Sequence, residues 1–99
     1  LRLTITADDI AQGKRSDTSC CPIALSFRRT AQKERIRVAA LWVVAPRIVC
    51  ATDVYKGIQR SWAMPEVAGK WLIAFDKGET VSPLSFELRE EVNGLLPVD

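Results

Sequence analysis

Histidine is absent from this 99-residue chain. That removes the commonest general base, the Ser-His-Asp and Cys-His arrangements, and every metal site that needs an imidazole ligand. Glycine is sparse and scattered, with five residues and no G-x-x-x-x-G-K-[ST] or G-x-G-x-x-G phosphate loop. The longest unbroken apolar run, residues 38–46, is far shorter than the roughly 20 residues a bilayer span requires. The first residues carry no charged-then-apolar leader pattern. What remains is 47% hydrophobic and 26% charged, the mixture of a single ordinary globular domain.

Three cysteines, Cys20, Cys21 and Cys50, are an odd number without C-x-x-C spacing. They do not form a disulfide framework, so a reducing, cytoplasmic compartment is expected. Three thiols without an imidazole also leave a tetrahedral zinc site one ligand short, and no metal or cofactor is expected. A reactive thiol at Cys20 or Cys21, beside a helix start, is set against a packing role for the same residues.

The net charge of +2 is unevenly spread. Between Lys14 and Arg60, ten Lys/Arg face three Asp/Glu, giving +7, while the flanks hold four against nine, giving −5. Either the basic middle pairs with the acidic flanks on folding, or it presents a surface to an anionic partner.

Leu1, Leu3 and Ile5 alternate with polar residues, the pattern of a half-buried strand. Thr6 is placed to cap a short helix over Asp8–Gln12, with Gly13 as a left-handed terminator. A polar loop over Lys14–Ser19 leads to Pro22, which suits the first turn of a second helix running to about Lys33. Its stripe is Ile23, Ala24, Phe27 and Ala31. Beyond Arg35 come β-branched and aromatic residues, divided near Pro46 and Gly57 into two or three antiparallel strands. A third helix is expected over Met64–Lys77, with Pro65 in its first position and Gly69 marking a close backbone approach. Leu84, Phe86 and Leu88 form a last alternating strand, expected to lie beside the first. The fold expected is α+β: a two-layer sandwich of an antiparallel sheet with helices on one face, in the order β-α-α-β-β(-β)-α-β. Residues 1–90 make the domain and 91–99 a tail, with Glu90 and Glu91 solvated and Val92, Leu95 and Leu96 available to dock.

Acid–base catalysis needs convergent carboxylates. Asp8 and Asp9 are adjacent on a helix and point about 100° apart, which suits the helix dipole better than a reaction. No enzymatic constellation is found. Two contact surfaces are candidates. The first is the basic set Lys14, Arg15, Arg28, Arg29, Lys33, Arg35 and Arg37, suited to phosphates, with Trp42, Tyr55 and Trp62 available for stacking if exposed. The second is the strand containing Leu41, Trp42, Val43 and Val44, apolar on both faces and therefore either a covered core strand or a homodimer interface.

The stretch T-I-T-A-D-D-I-A-Q-G at residues 4–13, with C-P-I-A-L at residues 21–25, resembles the opening of small uncharacterised phage and prophage proteins. A later pattern of Pro65, Ala68, Trp71, Leu72, Phe75, Asp76 and Gly78, then Pro83, Phe86 and Leu88, is also similar to theirs. The likeness covers about half the chain, departs over residues 39–63, and has Ser26 where the pattern carries Ala. It implies a shared fold and an accessory role in a mobile element. The function expected is therefore non-enzymatic, by binding a macromolecule or by self-association, with nucleic-acid binding through the 28–37 cluster as the alternative.

Overall fold

The computed structural model describes residues 1–53 and 55–91. The chain runs β1 (Arg2–Ile5), α1 (Ala7–Gln12), α2 (Pro22–Lys33), β2 (Ala40–Val44), β3 (Arg47–Asp53), β4 (Ile58–Ala63), α3 (Glu66–Asp76), β5 (Leu84–Glu87) and β6 (Arg89–Glu91). It is an α+β fold in the expected element order, with one further short strand at the end. Its strands form two antiparallel sheets rather than one: β1 pairs with β5, and a second sheet has the order β2-β3-β4-β6.

The first and last alternating segments do meet, with Leu3 opposite Phe86 and Ile5 opposite Leu84. Leu3, Ile5 and Phe86 are buried, so this small sheet turns its apolar face inward. The ladder continues to Leu88, whose N–H donates to the Leu1 carbonyl at 2.7 Å. Immediately beyond, Arg89 begins β6 in the other sheet, so Leu88 is the point where the chain crosses between sheets. In the larger sheet, Leu41 and Val43 of β2 lie opposite Cys50 and Ile48 of β3, and Ile48 lies opposite Trp62 of β4. These five side chains face the helices and join one continuous core with Ile23, Phe27, Ala68 and Leu72. Phe27 meets Trp62 edge-on, with centroids 5.0 Å apart, fixing α2 to β4.

Local chemistry explains the element limits. Thr6 caps α1 reciprocally: its hydroxyl accepts from the Asp9 N–H at 3.1 Å, and Asp9 accepts from the Thr6 N–H at 2.9 Å. Gly13 is extended, with φ −71°, and not left-handed as expected. Its glycine identity is explained by space, because a Cβ there would stand 2.5 Å from the Pro22 ring. The Cys21 sulfur caps α2, accepting from the Ala24 N–H at 3.4 Å. Helix α3 begins at Glu66, two residues later than the expected start, with Pro65 as its N-cap and Met64 held outside it by an N–H bond to the Pro46 carbonyl. Gly69 marks no close backbone approach, since a Cβ there would touch only the Ala45 methyl at 3.9 Å. The β2–β3 turn contains a cis Ala45–Pro46 peptide.

Glu90 and Glu91, expected in solution, instead belong to β6 and pair with Arg60 and Arg47. The tail residues Val92, Leu95 and Leu96 lie outside the described residues. No described helix is long and apolar enough to cross a membrane.

Candidate contact surfaces

The seven basic candidates do not form one patch. Lys14 and Arg15 precede α2: the Lys14 N–H donates to the Cys20 carbonyl at 2.9 Å, and the Arg15 guanidinium lies against Gly78. Lys33, Arg35 and Arg37 lie at the other end of the same helix, whose 12 residues span about 18 Å. Arg28 sits between, its guanidinium at the edge of hydrogen-bond range, 3.5 Å from the Ser19 carbonyl. Adjacency in the sequence thus becomes separation along a helix axis.

Arg29 is occupied. It donates to both oxygens of Asp9 at 2.8 Å and to the Thr4 carbonyl at 3.0 Å, tying α2 to α1 and β1. The Asp9 carboxyl is buried, and the Arg29 hydrogen bonds hold it below the usual carboxylate range against the opposing effect of burial. Arg47 and Arg60 likewise close on Glu91 and Glu90, which lowers both glutamates. The acidic flanks therefore take up Arg29, Arg47 and Arg60 of the basic middle. Among the described residues no ion pair reaches Lys14, Arg15, Arg28, Lys33, Arg35, Arg37 or Lys56. All seven are exposed. The excess positive charge survives folding.

The strand proposed as an interface divides by face. Leu41 and Val43 are 1% and 4% exposed and belong to the core, so they offer nothing to a partner. Trp42 and Val44 point the other way and are 39% and 56% exposed. The register extends this outer face: Trp42 lies beside Val49, then Ser61 and Glu91, and Val44 beside Arg47, then Ala63 and Arg89. It is apolar at Trp42, Val44 and Val49, charged at Arg47 of β3, and mostly polar over β4 and β6. Arg47 and Glu91, both on this face, bond at 2.8 Å and neutralise each other. The free edge of β2 is covered by the loop between α1 and α2: the Val43 N–H donates to the Thr18 carbonyl at 2.7 Å, and the Ser19 hydroxyl to the Leu41 carbonyl at 2.9 Å. A partner strand has no open ladder there. Val49 could have been found from the sequence by its alternation with Ile48 and Cys50, but Glu91 could not, because a three-residue strand has no readable period.

Of the aromatic candidates, Trp62 is 2% exposed and committed to the core, with the Arg60 guanidinium 5.1 Å above its ring. Tyr55, at the β3–β4 turn, is 98% exposed. The cysteines are unpaired. Cys21 and Cys50 are buried, and burial pushes both thiols up, away from the reactive thiolate. Among the described residues, no buried side-chain polar atom lacks a hydrogen-bond partner, and no group of three or more Cys, Asp or Glu could hold a metal ion. A cleft of about 340 Å³ beside the α2 C-terminus is lined by Arg35, Arg60, Trp62 and Glu90, but its Arg60 and Glu90 close on each other with bonds of 2.7 and 2.8 Å.

No family model, curated protein or solved structure matches this chain.

Proposed function

We propose that the protein is a non-enzymatic binding module that works as a homodimer, its two copies meeting through the outer face of the four-stranded sheet. One observation carries this reading. Trp42 and Val44 stand in solvent beside Val49 on a face that none of the described helices covers, while the other side of the same strands is fully packed. A second copy is the occupant this face suits. The Arg47–Glu91 bond leaves Arg89, on the far strand β6, as the one charge without an ion pair among the described residues of this face, so two identical faces can meet at Trp42 with little like-charge repulsion. A twofold axis near Trp42 would lay apolar rows against apolar rows, forming a sheet-on-sheet sandwich. The covered β2 edge argues against association by strand addition.

Three unpaired thiols support a reducing, cytoplasmic setting. The likeness to phage and prophage proteins supports an accessory role in a mobile element. Sedimentation equilibrium between about 1 and 100 μM tests the reading, across the range in which weak to moderate dimers dissociate. The expected result is a dimer, converted to a folded monomer by Trp42→Ser with Val44→Lys. A wild-type monomer at the top of that range, or a double variant that remains dimeric, overturns it.

A further inference from the structure

Helix α2 ends in a Schellman motif. The Ile36 N–H donates to the Ala31 carbonyl at 2.8 Å, and the Arg35 N–H to the Gln32 carbonyl at 3.4 Å. This pattern requires a left-handed residue after the C-cap, and Arg35 supplies it with φ 59°. Glycine is the ordinary occupant, because a Cβ in this conformation crowds the backbone. The helix dipole does not account for the choice, since Lys33 already provides a cation in the last turn. A strained arginine kept where glycine would be relaxed points to a use for its side chain.

Its surroundings suggest the use. Lys33, Arg35 and Arg37 are exposed, and none forms an ion pair among the described residues. The segment after Arg35 is tied to the β3–β4 hairpin: the Cys50 thiol donates to the Arg37 carbonyl at 3.5 Å, and the Ala39 N–H to the Ala51 carbonyl at 2.7 Å. Tyr55 and Lys56 lie four and five residues beyond Ala51, so the turn stands within about 17 Å of this segment. The Asp53 carboxylate braces the described part of the turn. Asp53 accepts from the Tyr55 and Lys56 N–H groups at 3.0 and 3.1 Å, and Gly57 completes the turn with φ 68°. Of the carboxylates at this end, Glu90 is paired with Arg60, leaving Asp53 and Glu34 against four cations.

We propose that this end of the molecule binds single-stranded nucleic acid, with Lys33, Arg35, Arg37 and Lys56 on phosphates and the Tyr55 ring stacked on a base. The cations alone would suit any polyanion. The tyrosine decides between classes: a ring 98% exposed on this turn has a π-face that an unpaired base can cover. Carboxylates of an acidic protein have no need of it, and bases stacked within a duplex do not present their faces. This surface lies apart from the outer sheet face and stands independently of dimerisation.

Fluorescence anisotropy of the full chain with a labelled oligo-dT of about 20 nucleotides tests the proposal. The expected result is saturable binding at low salt, with log K falling on log salt at a slope of about −2 to −3 for three or four phosphate contacts. Arg35→Gly with Arg37→Gln should weaken binding about tenfold and flatten the slope by about 1.4, the share of two contacts. Tyr55→Ser should weaken binding about tenfold at an unchanged slope. Circular dichroism spectra keep loss of binding distinct from loss of fold, and Arg35→Lys, which preserves charge, should retain the salt slope. No binding at low salt, variants that bind as the wild type does, or tighter binding to duplex DNA or to polyglutamate overturns the proposal.

Discussion

Gly13 and Gly69 show how one residue type serves opposite physical roles. Gly13 has a φ that any residue adopts, yet a Cβ would meet the Pro22 ring at 2.5 Å. Neither partner can move cheaply, because Gly13 closes α1 and Pro22 opens α2. Gly13→Ala is expected to cost about 1–3 kcal/mol by overpacking, read as a fall in the urea midpoint. Gly69 is mid-helix with room for a methyl, so Gly69→Ala is expected to stabilise by about 1 kcal/mol in the same assay. Asp9 makes the residue-scale argument electrostatic. Arg29 depresses its carboxyl in the folded state, so its contribution is full above the unfolded pKa of about 3.9 and is lost as pH falls through the folded value. Asp9→Asn should therefore destabilise the protein by about 1–3 kcal/mol at pH 6, where a charge-assisted pair is lost. The gap between variant and wild type should narrow towards pH 2, and a gap independent of pH would show that the pair does not supply it.

Element by element, the sequence is most readable where a cap and a stripe agree. Thr6, Pro22 and the Ile23–Phe27–Ala31 stripe each place an end or a face of a helix, and the alternation in β1 and β5 shows which side is buried. Ser26 fits the same frame: it occupies a buried stripe position because its hydroxyl donates to the Thr4 carbonyl at 2.9 Å, binding helix to strand. The β6 strand was hidden for a physical reason. Its residues are charged, and what holds them is backbone pairing to β4 together with Arg47 and Arg60, which lie 44 and 30 positions away from their partners. The split of the basic candidates was hidden too, because spacing along a chain does not report spacing along a helix axis. The α2 C-terminus permits a test free of any ligand. If Arg35 is strained as its φ indicates, Arg35→Gly should stabilise the fold by about 1 kcal/mol, raising the thermal midpoint by about 4–8 °C. An unchanged or lowered midpoint would mean that its side chain contributes to folding as much as its backbone detracts.

At the scale of the whole molecule, two sheets share one core, and the connection between them is covalent as well as packed. Leu88 is 2% exposed, bonds to Leu1 at the end of the β1–β5 ladder, and precedes the first residue of β6 directly. A defect there touches both sheets. Leu88→Ala is expected to cost about 2–5 kcal/mol, as for other buried leucines. The more telling result is the pattern of loss. Because Leu3, Phe86, Trp62 and Phe27 belong to one continuous cluster, neither sheet retains a complete core once the other opens. Amides of β1 and β5 should then exchange with solvent at the same opening free energy as those of β2 and β3, in the variant as in the wild type. A variant in which β1 and β5 exchange early while β2 and β3 stay protected would show two separable units, with the four-stranded sheet and its exposed outer face able to stand without the smaller sheet.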